Sequence, residues 1–183
     1  MSARATVCLL GLRAAGKSSV GRAAASLLGR PFVDLDERLV VEARRAGVHA
    51  ASAGELLRLA GEARFRDFES AALRSLLEPG QKLVVATGGG VVERDDARVW
   101  LRRAGRCVWL DAPPAVLAER LRADDTERPP LLGAGGDPAA ELEQLLARRR
   151  HHYAALSDLV LDAREPVAAL AERVVAWVQA TEA

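Results

Sequence analysis

A short apolar run that meets glycine, four residues, then glycine, lysine and serine leaves a chain few folds to choose from. Here Thr6-Val7-Cys8-Leu9-Leu10 leads into Gly11-Leu12-Arg13-Ala14-Ala15-Gly16-Lys17-Ser18, and Val20, Ala24, Leu27 and Leu28 follow at helical spacing before Gly29. The pattern is G-x-x-x-x-G-K-[ST], the P-loop, set between an expected strand and an expected helix. Glycines admit backbone N–H groups to phosphate oxygens where a side chain would stand in the way, and the helix start adds the positive end of its dipole. Gly11, Arg13, Ala14, Ala15, Gly16, Lys17, Ser18 and Ser19 are therefore candidate nucleotide-binding residues. Lys17 can reach the β- and γ-phosphates of ATP, and Ser18 can ligate Mg²⁺. The plainer alternative is a strand-to-helix turn that binds nothing, and the flanking strand and helix weigh against it.

At 183 residues the chain suits one domain spanning 1–183. Lys and Arg number 26 against 25 Asp and Glu, so the net charge of +1 gives no global reason to expect nucleic acid or an anionic membrane as partner. Cys8 and Cys107 each fall inside an apolar run, which suggests buried thiols rather than a bridge or a metal site. No stretch reaches the length of a membrane span, and the P-loop strand begins too early to leave room for a signal peptide, so a cytoplasmic protein is expected. Aromatic residues are only 4%, and a core of Leu, Val and Ala suits helices packed on a parallel sheet.

Pro31-Phe32-Val33-Asp34-Leu35-Asp36 reads as a second strand entering a helix. Side chains two apart on a strand point the same way, so Asp34 and Asp36 would face one crevice at a strand's carboxyl end. One carboxylate suits the water shell of Mg²⁺ and the other a substrate hydroxyl, whereas a plain helix cap at Asp36 is the competing reading. Helical patterns follow over 37–46, 53–60 and 62–77, an interruption of strand–helix alternation where small-molecule kinases place an acceptor-binding lobe. Phe65, Phe68, Ala72 and Leu76 can form a buried stripe, with Arg66 at its edge. Arg66 can clamp a carboxylate, but spacing alone favours a surface pair with Glu62 or Asp67.

The run 82–86 reads as a third strand, ending in Thr87-Gly88-Gly89-Gly90. Three successive glycines are entropically costly, and at a strand's carboxyl end they suggest bare backbone approaching a ligand. A helix over about 94–103, a strand over 106–110 and a helix from Pro113-Pro114 to near Arg122 come next. The segment from about 123 to 137, with Arg128-Pro129-Pro130 and several glycines, has the composition of a mobile lid that carries Arg128 to a transferring phosphoryl group. Asp137 and Pro138 open a helix to about 155 through Arg148-Arg149-Arg150-His151-His152, on which one of the three arginines can reach a ligand. The adjacent histidines lack the spacing of a zinc site. Strand 158–162 and a helix with Val167, Leu170, Val174 and Val178 on one face complete the chain.

In this order, the P-loop, Asp34/Asp36, Gly61-Glu62-Ala63-Arg64-Phe65-Arg66-Asp67-Phe68-Glu69, Gly88-Gly89-Gly90, Arg128-Pro129 and Arg149 ahead of Tyr153 resemble the shikimate kinases along essentially the full length. The resemblance implies a three-layer α/β fold of the P-loop NTPase type: a five-stranded parallel sheet with helices on both faces, a helical acceptor-binding insertion at about 37–77 and a mobile lid. It also implies a monomer that binds ATP, Mg²⁺ and shikimate, in chorismate and aromatic amino-acid biosynthesis. The implied roles put Lys17 and Ser18 at phosphates and Mg²⁺, Asp34 at the metal's water shell and Asp36 at the reacting hydroxyl. Arg66 and Arg149 would hold the shikimate carboxylate with help from Gly88, Gly89 and Gly90, which reverses the plain reading of Arg66. Arg128 would stabilise phosphoryl charge, and Arg122 would lie against adenine.

Two departures from the family pattern stand out. The segment around Arg44–Ala51 is several residues longer than usual, and the lid reads Arg128-Pro129-Pro130-Leu131 where the family has R-P-L. The first can reshape the acceptor pocket, and the second fixes a further φ angle. A kinase of another small hydroxy acid, gluconate-like, and a nucleotide-sensing module without catalysis are the rival expectations.

Overall fold

The computed structural model describes residues 5–123 and 137–182. Five strands, β1 (Thr6–Leu10), β2 (Phe32–Asp34), β3 (Val84–Ala86), β4 (Gly105–Asp111) and β5 (Leu159–Asp162), form one all-parallel sheet in the order β2-β3-β1-β4-β5. Every residue of β1 is buried, and so are Val84, Val85 and Ala86 of β3. A strand buried at successive positions needs cover on both faces, which is why these runs are continuously apolar. Full burial of Leu9 or Leu10 stabilises by roughly 1.5–3 kcal/mol each.

The cover comes from α1 (Lys17–Leu28) packed on α7 (Val167–Glu182) and, separately, from α4 (Asp95–Ala104) packed with α6 (Pro138–Leu156) and β4. α5 (Pro114–Ala123) packs on α6. On α1 the inward residues are Val20, Gly21, Ala24 and Ala25, while Leu27 is 59% exposed, against the stripe expected from spacing. Gly21 lets the helix approach so closely that a Cβ there would lie 2.6 Å from the Phe32 ring, so the stripe is turned toward small residues. On α7, Leu170, Val174 and Val178 are buried as expected, but Val167, in the fraying first turn, is exposed.

α2 (Leu35–Arg45) and α3 (Ala53–Leu76) pack on each other around a small second core of Leu39, Ala43, Ala50, Leu56 and Phe65, while Leu35, Ala72, Leu73 and Leu76 join the main core. α3 is two helices joined across a kink at Gly61 (φ 74°, ψ 163°), as the separate runs 53–60 and 62–77 anticipate. Phe68 is only half-buried, and Glu69 takes the inward position beside Phe65 at 2% exposure. Cys8 and Cys107 are register neighbours on β1 and β4, both fully buried. Among the described residues no helix is long and apolar enough to cross a membrane.

Candidate active site

β1 and β3 are neighbours, yet the chain leaves β1 for β2 on one side and β3 for β4 on the other. Loops that part in this way open a crevice beyond the carboxyl ends of the strands. The P-loop follows β1 there and Gly88-Gly89-Gly90 follows β3. Thr87 joins the two, its hydroxyl donating to the Leu9 carbonyl at 2.8 Å.

The P-loop backbone departs from ordinary geometry. Gly11 has φ 140°, and a Cβ on it would sit 2.6 Å from the Leu110 carbonyl oxygen of β4. Gly16, the residue capping α1, has φ 87°. Ala14 holds φ 62°, which costs an L-residue about 1–2 kcal/mol, a strain of the kind kept at ligand sites. Arg120 ties this turn down, donating to the carbonyls of Ala14 at 3.4 Å and Ala163 at 2.7 Å. Lys17 Nζ folds back onto the Gly11 and Leu12 carbonyls at 2.9 and 2.7 Å. Ser19 lies exposed in the first turn of α1.

The Asp34/Asp36 pair is not two strand positions. β2 ends at Asp34, which caps α2 by accepting from the Asp36 N–H at 3.0 Å, and Asp36 belongs to the helix's first turn. The competing reading puts a cap at Asp36, and it is Asp34 that serves. The reason is local: Asp34 keeps an extended backbone (φ −90°, ψ 123°), the geometry a cap needs, and helix begins at Leu35. Asp34 also accepts from Ser18 Oγ at 2.7 Å. Hydroxyl and carboxylate together beside a phosphate cradle are the hard oxygen donors that Mg²⁺ takes.

Each glycine of the triplet leaves room for a neighbour. None of the three has a positive φ, so a turn does not require them; close approach does at Gly88 and Gly90. A Cβ on Gly88 would lie 2.6 Å from Glu69 Oε1 and 3.2 Å from Asp36 Oδ1. On Gly89 it would make ordinary contacts, 3.4 Å from the Gly11 carbonyl oxygen, 3.5 Å from the Arg13 backbone nitrogen and 3.6 Å from Arg149 Nη1. On Gly90 it would lie 2.5 Å from Arg66 Nη2. Within the chain, Gly88 and Gly90 leave room for the charged side chains of Glu69, Asp36 and Arg66, and Gly89 lies against the P-loop backbone.

Those side chains form one network. Arg66 donates to Glu69 Oε2 at 2.8 Å and lies 3.7 Å from Glu93 Oε2, with Glu62 no nearer than 3.9 Å. The expected surface pair with Asp67 does not form, because Asp67 turns instead to Arg94 at 3.0 Å. Arg149 is 5% exposed, whereas Arg148 and Arg150 point outward, and its Nη2 donates to the same Glu93 Oε2 at 3.0 Å. Tyr153, stacked on Trp109 and pushed above its usual pKa by burial, donates to the Gly89 carbonyl at 2.6 Å. Burial raises the Glu69 carboxyl, and the Arg66 charge and hydrogen bond offset only part of that. Burial also pushes Glu93 upward, but the Arg149 hydrogen bond and the two guanidinium charges outweigh it and hold Glu93 below the usual range.

A profile of the shikimate kinase family matches residues 13–179. The chain belongs to that family. The shikimate kinase of Oleidesulfovibrio alaskensis is 41% identical over 167 residues, 90% of this chain and 92% of that one. That of Symbiobacterium thermophilum is 40% identical over 148 residues, covering 81% and 80%. A structure of the Acinetobacter baumannii shikimate kinase in complex with shikimate superposes with a TM-score of 0.84 at 29% identity, covering 98% of this chain and 96% of that one. A Sinorhizobium meliloti gluconokinase shares the fold at a TM-score of 0.63 and 20% identity, with coverage of 97% and 93%.

Within this shikimate kinase fold Ser18 meets Asp34, while Gly88 comes close to Asp36, Gly89 to Gly11, Arg13 and Arg149, and Gly90 to Arg66. Arg122 does not reach the P-loop: it pairs at 3.1 Å with Asp137, both side chains more than half exposed. Arg128 and the lid sequence 124–136 lie outside the described residues. Sequence reasoning assigned no role to Glu69, Glu93 and Arg120. Glu69 alone left a signal, as an acidic residue on the apolar face of α3.

Proposed function

We propose that this protein transfers the γ-phosphoryl group of ATP to the 3-hydroxyl of shikimate, giving shikimate 3-phosphate and ADP, a step of chorismate and aromatic amino-acid biosynthesis. The observation that carries the reading is the convergence of Arg66 and Arg149 on one carboxylate oxygen, Glu93 Oε2, at 3.7 and 3.0 Å, across the crevice from a P-loop. Two guanidiniums so placed bind a carboxylate by charge-assisted hydrogen bonds. An acceptor held there by its acid group presents its hydroxyl toward Asp36, which lies beside Gly88.

Lys17 exchanges its two carbonyl partners for β- and γ-phosphate oxygens. Ser18 and Asp34 would hold Mg²⁺, directly or through its water, and the ion would supply charge neutralisation at the phosphates. Asp36 orients the acceptor hydroxyl and takes its proton as the new O–P bond forms. Arg128 spreads charge on the transferring group, and the segments 37–77 and 123–137 act as acceptor lobe and lid. Positioning and electrostatics carry the rate enhancement.

The test is ADP release from Mg-ATP with and without shikimate, with the phosphorylated product identified. Release should depend on shikimate, and Asp36→Asn and Arg66→Ala should each abolish it while ATP binding persists. Release with gluconate and not with shikimate would overturn the acceptor. ATP binding without turnover on any hydroxy acid would overturn catalysis.

A further inference from the structure

Two carboxylates serve the Arg66–Arg149 pair, and they differ in kind. Glu69 lies beneath Gly88 with its side chain 3% exposed, and among the described residues its ion pair is with Arg66, at 2.8 Å. Glu93 sits at the end of the 3-10 turn Val91–Glu93, its side chain is 32% exposed, and one oxygen faces both guanidiniums. Glu69 is a fixed partner, buried against Gly88, whereas the more exposed Glu93 reaches the arginines on a single turn. Arg149 Nε is buried without an acceptor among the described residues, so Glu93 leaves this arginine incompletely satisfied.

We propose that Glu93 is a resident stand-in for the acceptor's carboxylate: it holds Arg66 and Arg149 together in the substrate-free protein and is exchanged for that carboxylate on binding. The proposal rests on the reading of these arginines as the acceptor clamp. The charge arrangement leads to it. With Glu93 in place, two guanidiniums face two carboxylates, Glu69 and Glu93, with Asp36 beside Glu69. An incoming carboxylate would be a third anion on the same two cations, and like charges at this range are costly where solvent is scarce. Glu93, the more exposed of the two, is the one that can leave at small cost by turning into water. The exchange keeps Arg149, which is 5% exposed, from lying unpaired in the empty site, and it makes the acceptor's acid group compete with an internal anion, which disfavours weaker anionic ligands. Glu93 is thus a positioning residue that sets acceptor affinity.

The experiment compares wild type with Glu93→Gln and Glu93→Ala, each first checked for folding by circular dichroism and thermal midpoint. Binding of benzoate, an aromatic monocarboxylate, is read by calorimetry without nucleotide, and steady-state constants are measured with shikimate and Mg-ATP. Both variants should bind benzoate more tightly, and KM for shikimate should fall about fivefold, the order set by losing one half-exposed competing ion pair. The kcat and the KM for ATP should stay within about twofold, the signature of a change in acceptor binding alone. Benzoate and shikimate bound equally or more weakly by both variants would overturn the exchange and make Glu93 a fixed part of the cradle. Tighter benzoate binding in the variants, with no shikimate turnover even in wild type, would support the exchange and overturn the assigned acceptor.

Discussion

Gly90 shows how a missing atom can be functional. Its backbone is unremarkable (φ −91°, ψ −3°), so alanine fits the conformation, but the added Cβ would fall 2.5 to 2.8 Å from the Arg66 guanidinium. The obstructed group is the free end of a long side chain, which can swing away at little cost to the fold. Gly90→Ala should therefore leave the thermal midpoint within a few degrees and raise KM for shikimate by about tenfold, because a displaced arginine loses its paired hydrogen bonds. Kinetics beside a melting curve decide this, and unchanged KM would show that the triplet is not shaped for Arg66. The same comparison separates residues legible in the chain from those that were not. Lys17 and Arg66 sit in local patterns that announce their chemistry. Glu93 belongs to no such pattern, and only its place between two arginines from distant helices gives it meaning.

Helix α3 carries Arg66 and Glu69 after a break, and that break aims them. Gly61 holds φ 74° with ψ 163°, a region essentially reserved for glycine, and nothing lies within 4 Å of the position a Cβ would take. The cost of Gly61→Ala is then backbone strain alone, about 1–3 kcal/mol. Denaturant unfolding should show that loss together with a raised KM for shikimate, since relaxing the break turns the Arg66 half of the helix. Further along, Arg94 links α3 to α4 by donating to Asp67 at 3.0 Å and to Asp96 at 2.9 Å. The Arg94 hydrogen bond, opposed in part by burial and aided by the Ala97 N–H, holds the Asp96 carboxyl at about 2, below its ordinary 3.8. A depressed pKa contributes stability that is present above the unfolded value and lost as pH falls through the folded one. Asp96→Asn should flatten the acid-unfolding curve between about pH 4 and pH 2, and salt should shrink the difference, because the pair is half exposed. An acid limb identical to wild type would remove the assigned link.

At the scale of the molecule, the parallel sheet separates stability from chemistry. The proposed site gathers loops and helix residues at the carboxyl ends of β1, β2 and β3, and α7 packs on α1. Leu170→Ala, at a residue 2% exposed on α7, should cost about 2–5 kcal/mol and leave both KM values unchanged well below the melting temperature. A changed KM would show coupling from this layer to the site. Concavity alone would have pointed elsewhere: a hollow of about 610 Å³ opens where Lys82 and Arg106 precede or begin their strands, and there Glu182 already closes the charges of Arg30 and Arg106 at 2.5 and 2.9 Å. The strand after strand of apolar runs, the P-loop, the glycine stop of α1 and the break at Gly61 were all decided within a few neighbouring residues. They could be read from the chain, because hydrophobic period, cap chemistry and positive φ are local properties. The strand order, the cap at Asp34, the exposure of Leu27 and the joining of Glu69, Arg66, Glu93 and Arg149 depend on which distant surfaces meet. Those were settled by packing and by the pairing of buried charge, and only the tertiary structure holds them.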